Sequence, residues 1–231
     1  MIDPIGTQTL EIMGSAVNYN KRLLSLIRPW LKGKILEVGA GTGTFASQFM
    51  QDGYKVAALD INQDYLTLLA KQFKGMPVYK FDLESSKLPK VLTGEFETVV
   101  MLNVLEHIKN DVQALANIYS MLKPKGSLIL IVPAHAWAYG SVDKNLGHHR
   151  RYEQELLYKR LMAAGFKIRK IRYISPVAIV GWWMSAKVLK SSVIPSAQLR
   201  IFDPLVPAFS ILEDILKLPL GMSLFAVGEK T

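Results

Sequence analysis

The amino-acid sequence predicts an α/β fold, a doubly wound and mostly parallel sheet, and three observations carry that prediction. Lys34-Ile35-Leu36-Glu37-Val38-Gly39-Ala40-Gly41-Thr42-Gly43-Thr44 is a short apolar run that meets glycines at alternate positions and then an apolar helical pattern. That order reads as a first strand, a tight turn and the start of a helix. Further runs of strand length, Lys55 to Asp60 and Phe96 to Leu102, alternate with helical stretches, and the continuous apolar run Val56 to Leu59 suits a strand covered on both faces. Finally, each strand and helix unit fits a right-handed crossover, which places helices on both sides of the sheet.

At 231 residues, 50% of them hydrophobic, the chain has enough apolar material for one core, and a single domain spanning 1–231 is expected. Cysteine is absent, which removes disulfides and thiolate metal sites and makes a reducing cytoplasm the expected home. Met1-Ile2-Asp3-Pro4 lacks the basic end and apolar run of a signal peptide, in line with that expectation. The net charge of +9 and pI near 9.6 would suit nucleic acid, anionic lipid or an acidic substrate. The basic residues are scattered, however, and nowhere interleave with aromatics as a single-strand platform would. Nucleic acid is therefore set aside in favour of a surplus of surface lysine.

The glycine turn places a ligand at the carboxyl edge of the sheet, beside unpaired N–H groups at a helix start. A dinucleotide fingerprint has the form G-x-G-x-x-G. With Gly39, Gly41 and Gly43 the third glycine comes one residue early. Glu37 also lies inside the strand end, where a carboxylate repels phosphate and suits a cation. The pattern E-x-G-x-G-x-G, with Asp60 closing the next strand, resembles the class I S-adenosylmethionine-dependent methyltransferases of the small-molecule branch. The resemblance covers residues 15–174 and 221 onward. It implies a Rossmann-like seven-stranded sheet and S-adenosyl-L-methionine as cofactor, a molecule with an amino acid end, a sulfonium and a ribose but no phosphate.

Taken in order, residues 1–33 are expected to form a helical cover. Val17, Leu23, Leu24, Ile27 and Leu31 share one face of a helix over 15–31, and the resemblance sends Tyr19 toward the cofactor. Gly39, Ala40, Gly41 and Gly43 form the cradle, and Phe45, Phe49 and Met50 mark the apolar side of the helix that follows. Asp60, with Ile61 beside it, ends the second strand where a carboxylate can accept bonds from both ribose hydroxyls. Val78 to Leu83 is the third strand and its exit. By resemblance Asp82 accepts from the adenine amino group and Leu83 packs on the ring, with a plain turn aspartate as the competing account. Asn103 to Ile108 follows the fourth strand, and Asn103 is expected to line the pocket. Some relatives with Glu-x-x-Glu-His here bind a divalent metal. Asn103 replaces the first glutamate, so no metal is expected, and Glu106 and His107 are assigned to fixing the helix start and sheet edge.

Leu115, Ile118, Tyr119 and Leu122 form the face of the next helix, which Lys123-Pro124-Lys125-Gly126 is expected to end before a fifth strand from Ser127 to Val132. The stretch His135 to Tyr152 then leaves the carboxyl edge with three of the chain's 4 histidines. A histidine is the natural base near neutral pH. His148 is the first candidate, with His149 and His135 next, and Tyr139 as an orienting group. Arg150 and Arg151 either hold an acidic substrate group or pair with acids of the helix over 153–164. Lys167 to Tyr173 is the sixth strand and Met222 to Lys230 the seventh, which the resemblance inserts antiparallel between the fifth and sixth.

Between them lies an apolar insertion, 174–221, that the common pattern does not need. Its uncharged run from Tyr173 to Ala186 is too short to span a bilayer. Three readings stay open: a lid over an apolar substrate, which is favoured, a dimer surface, and a peripheral membrane patch with Lys187, Lys190 and Arg200 near headgroups. Together these readings predict methyl transfer to a small-molecule or lipid-like acceptor, with oxygen favoured, by a monomer or homodimer. The alternatives are a catalytically silent adaptor of the same fold for membrane or protein, and a nicotinamide-dependent reductase.

Overall fold

The computed structural model describes residues 4–183, 196–216 and 218–231. Strands β1 (Lys34–Val38), β2 (Lys55–Asp60), β3 (Val78–Lys80), β4 (Phe96–Leu102), β5 (Leu122–Pro133), β6 (Phe166–Ile174) and β7 (Ser223–Lys230) form one sheet in the order β3-β2-β1-β4-β5-β7-β6. Pairing is parallel from β3 across to β5, and β7 runs antiparallel to both β5 and β6. The strand order reverses direction between β1 and β4. That reversal opens a crevice at their carboxyl ends, where open α/β sheets bind ligands.

Helices α1 (Pro4–Gly14), α2 (Val17–Ile27), α3 (Thr44–Gln51), α4 (Gln63–Gln72), α5 (Asp111–Met121), α6 (Ser141–Asn145) and α7 (Gln154–Ala163) accompany the sheet. Because strand side chains alternate, neighbours such as Ile35 and Leu36 enter opposite layers. Ile35, Ala58 and Ile129 pack with Leu23, Ile27 and Phe49 from α2 and α3. Leu36, Val99 and Leu128 pack with Leu115, Ile118 and Leu157 from α5 and α7. The doubly wound arrangement read from the sequence is present, including the antiparallel last strand.

Several local readings are corrected. Val17 and Met50, expected on apolar inner faces, are exposed, and Ala46 fills the inner face of α3 instead. The segment Lys123 to Gly126 does not simply end α5. Gly94 and Glu95 donate to the carbonyls of Ser120 and Met121, so strand pairing begins at Leu122, and Lys123 to Gly126 bulges out before the ladder resumes at Ser127. Lys125 takes a positive φ of 60° there.

The insertion contributes α8 (Ala178–Trp183), α9 (Ser196–Phe202) and α10 (Val206–Leu216). It is fastened through its acids. Asp203 accepts from the backbone N–H groups of Asn18 and Tyr19 at 3.1 and 2.9 Å and so caps α2. Glu213 accepts from Ser175 N at 3.0 Å and from Arg22, while Asp214 bridges Arg22 and Arg172. Lys187, Lys190 and Pro195 lie outside the described residues. Among the described residues no helix is long and apolar enough to cross a membrane.

Candidate functional site

The turn after β1 is shaped by what the missing side chains leave room for. Gly39 has φ +67°, and a Cβ there would lie 2.3 Å from Val104 Cγ2. At Gly43, φ +80°, a Cβ would meet Leu69 and Phe73 within 2.7 Å. Both glycines thus answer to the packing of the protein's own side chains as well as to any ligand. Leu10 of α1 lies over Gly41, and Ala40 is buried in the core.

Two carboxylates flank it. Glu37 is buried, and burial, with the Asp60 charge added, pushes its acid up to about 8 against a bond from Ala46 N–H. Its Oε2 has no hydrogen-bond partner among the described residues. Asp60 accepts from Asn62 N at 2.8 Å and Gly41 N at 3.3 Å, and burial raises its pKa. Ile61 beside it is exposed. Asp82 is exposed and accepts from Glu84 N at 2.9 Å, the bond of a turn aspartate, while Leu83 is buried in the core layer beneath. Asn103 stands exposed at the end of β4 with φ 52°. Tyr19 is set among the insertion's side chains: it lines a small cavity with Phe202, Phe209 and Glu213, and burial raises its pKa to about 12.

The histidine loop separates its three candidates. His148 is buried, and its Nδ1 lies 2.8 Å from Asp143 Oδ1. Burial pushes the Asp143 acid up, but the His148 bond and the Arg151 charge outweigh it and hold the carboxyl below its usual range. An ionised acceptor makes Nδ1 the donor, so neutral His148 carries its lone pair on Nε2. Asp143 is a residue the sequence reading passed over, and its only prior signal was its place five positions before His148. Tyr139 donates to the His148 backbone carbonyl at 2.7 Å. His149 is exposed, its backbone N–H bonded to Glu106 O. His135 is buried elsewhere at φ 65°, stacked against Tyr173 and Trp137, with Nε2 lacking a hydrogen-bond partner among the described residues.

Glu106 and His107 join His148 rather than serving only the sheet edge. One ligand atom from each of the three lies within 4.8 Å of the others. Glu106 is fully buried, both oxygens lack hydrogen-bond partners among the described residues, and burial lifts its acid to about 8. The arginines are occupied. Arg151 is buried against Asp143 and the Trp182 ring, and Arg150 pairs with Asp111, so both use acids of α5 and α6 rather than of the helix that follows them.

A family profile described as a methyltransferase domain matches residues 18–183. The chain belongs to the methyltransferase family. This methyltransferase is 30% identical over 123 residues to a non-reducing polyketide synthase of Emericella nidulans, a match covering 49% of this chain and 5% of that protein. It is 26% identical over 155 residues to a ubiquinone biosynthesis O-methyltransferase of Rickettsia canadensis, covering 61% of this chain and 65% of the other. It thus spans less than two thirds of either relative. Its fold matches a crystal structure of an S-adenosylmethionine-dependent methyltransferase from Archaeoglobus fulgidus with a TM-score of 0.64 at 18% identity, over 96% of this chain and 97% of that one.

The family's cofactor is S-adenosyl-L-methionine, and the site fits it. The Glu37 carboxyl, with one oxygen unpaired among the described residues, and the Asp60 carboxylate offer the crevice acceptors that suit a cationic, hydroxyl-bearing ligand without phosphate, whose positive charge would favour ionised Glu37.

Proposed function

We propose that this methyltransferase moves the methyl group of S-adenosylmethionine to an oxygen of a small, apolar or lipid-like acceptor, with His148 as the base. The observation that carries the reading is the Asp143 to His148 pair, which fixes the imidazole and leaves Nε2 to receive a proton. Gly39, Ala40, Gly41 and Gly43 would hold the cofactor's amino acid end beside Glu37. Asp60 would take the ribose hydroxyls with Ile61 against the ring, and Asp82, Leu83 and Asn103 would border the base. When bound, the cofactor supplies a methyl group activated by the adjacent sulfonium. The protein's part is to align the acceptor within about 3 to 3.5 Å and exclude water. The acceptor's hydroxyl proton passes to His148 Nε2, and Asp143 stabilises the imidazolium that forms. His149 and His135 are assigned secondary places, since one is exposed and the other stacked on Tyr173. The O-methyltransferase relative supports an oxygen acceptor.

The cluster of Glu106, His107 and His148 favours one second reading, because a carboxylate and two imidazoles would also seat a divalent cation. One experiment separates the two. Calorimetry with S-adenosylmethionine and its demethylated product establishes donor binding. Turnover of a hydroxyl-bearing acceptor panel is then followed with and without EDTA. His148→Gln should lower turnover by roughly 100-fold or more with donor affinity unchanged, and EDTA should have no effect. Loss of turnover in EDTA that manganese or magnesium restores would replace the base with a metal. Failure of both nucleosides to bind would remove the whole proposal.

A further inference from the structure

The later part of α10 turns its large apolar side chains outward. A surface helix ordinarily turns its apolar stripe inward and its charges to water. In α10 the buried positions are Val206 and Glu213, and the outward ones include Ile211 at 66% exposure, Ile215 at 71% and Leu216 at 51%. Ile201 of α9 is exposed as well, at 73%. Residues 174–221 contain three acids, Asp203, Glu213 and Asp214. Each is engaged by the body of the protein, on the α2 amino end, on Arg22 and on Arg172, with Glu213 buried and Asp214 still 47% exposed. The same stretch carries Lys187, Lys190, Arg200 and Lys217 with no further acid in its sequence to neutralise them, and Arg200, beside Ile201 in α9, is exposed.

We infer that this face docks on an anionic lipid bilayer, with α10 lying in the plane of the interface. Charge decides the occupant. A face whose one exposed acid, Asp214, is held by Arg22 and Arg172, on a chain of net charge +9, is drawn to anionic headgroups, and a second copy, equally basic, is repelled. Length decides the depth: the 11 residues of α10 extend about 16 Å, too short to cross a bilayer and suited to lying along it with the apolar side sunk among the acyl chains. An isolated exposed leucine needs no explanation, but a run of large apolar side chains along two successive helices marks a contact surface. The inference concerns where the protein sits and stands without the proposed chemistry.

Flotation of the full chain with vesicles tests it. Vesicles of phosphatidylcholine alone are compared with vesicles containing about one third phosphatidylglycerol at low salt. The protein is expected to float with the anionic vesicles at least about tenfold more than with the neutral ones, and high salt should reduce the binding. The pair Ile211→Ser and Ile215→Ser, which leaves the charge unchanged, should abolish most of that binding while the circular dichroism spectrum stays the same. Absence of wild-type binding to anionic vesicles at low salt overturns the inference, whatever the variant does. Sedimentation velocity without lipid gives the other contrary outcome: a dimer that the serine pair disperses, together with no flotation, would assign the face to a second copy.

Discussion

At the carboxyl edge of the sheet, Glu37 keeps one oxygen and Glu106 both oxygens without a hydrogen-bond partner among the described residues. In the insertion, Glu213 and Asp214 share Arg22 and Arg172, and Asp203 caps a helix. An unpaired buried acid costs free energy, whereas a paired one fastens two elements together. The difference separates the part of the molecule arranged for a ligand from the part arranged for attachment. Predictions that remove one acid, or one of its partners, break this contrast directly.

The largest effect is expected with pH. Burial raises the Glu37 and Glu106 acids to about 8 in the folded chain, while in the unfolded chain they ionise near 4.3. Between those values the folded state keeps protons that the unfolded state has released. The stability they confer is therefore complete below the unfolded pKa and is lost as pH rises through about 8. The ceiling is on the order of 5 kcal/mol for each group. Calorimetric melting of the ligand-free chain should show a clear fall in stability from pH 5.5 to 8.5. Glu37→Gln should flatten that fall and stabilise the chain at the alkaline end, while weakening S-adenosylmethionine binding by roughly tenfold. An unchanged slope in the variant would mean that Glu37 ionises normally and is not held in reserve for a cation.

The same contrast explains what could be read in advance. β2 and β4 were legible to the residue, and β1 as the run before the glycine turn, because strands buried on both faces are rich in apolar residues and a turn packed close to its neighbours needs glycine. Glu37 and Asp60 were legible because a carboxylate at a strand end beside a glycine turn has few structural uses. Asp143 was not, since a loop aspartate gives no sign that it will meet a histidine one turn later. The union of Glu106 and His107 with His148 depends on two loops from different strands converging, which sequence order does not encode. The insertion stayed open to three readings for a physical reason: the rule that apolar residues face inward does not say what an outward apolar stretch such as Ile211 to Leu216 will meet. Tyr19 followed its helix toward that insertion and lines the cavity there.

A smaller loss is expected from the attachment. Arg22 is mostly buried and contacts Glu213 at 3.1 Å and Asp214 at 2.7 Å. Replacing it by methionine keeps the stem and removes the charge. Glu213 is then left with the Ser175 N–H and an Arg172 nitrogen 4.0 Å away. The cost should be about 2 to 3 kcal/mol, read as a lower midpoint in urea. Limited proteolysis should first cut within 174–221, since the sheet loses nothing. Cleavage spread evenly over the chain would show that the insertion is held by its apolar contacts rather than by its acids.

The smallest effect belongs to Ile215→Ala, and its sign is informative. In a covered helix this change removes buried methyl groups and costs roughly 2 to 5 kcal/mol. Ile215 is 71% exposed, so little burial is lost. Alanine is the better helix former by a few tenths of a kcal/mol, because a β-branched side chain loses rotamer freedom against the preceding turn. The free protein should therefore be unchanged or slightly more stable, within about 0.5 kcal/mol. A conserved stability with reduced vesicle binding would place the energetic value of this isoleucine outside the folded chain itself, in whatever surface α10 meets. A loss above about 1 kcal/mol in dilute solution would mean that the position is already covered when the protein is alone.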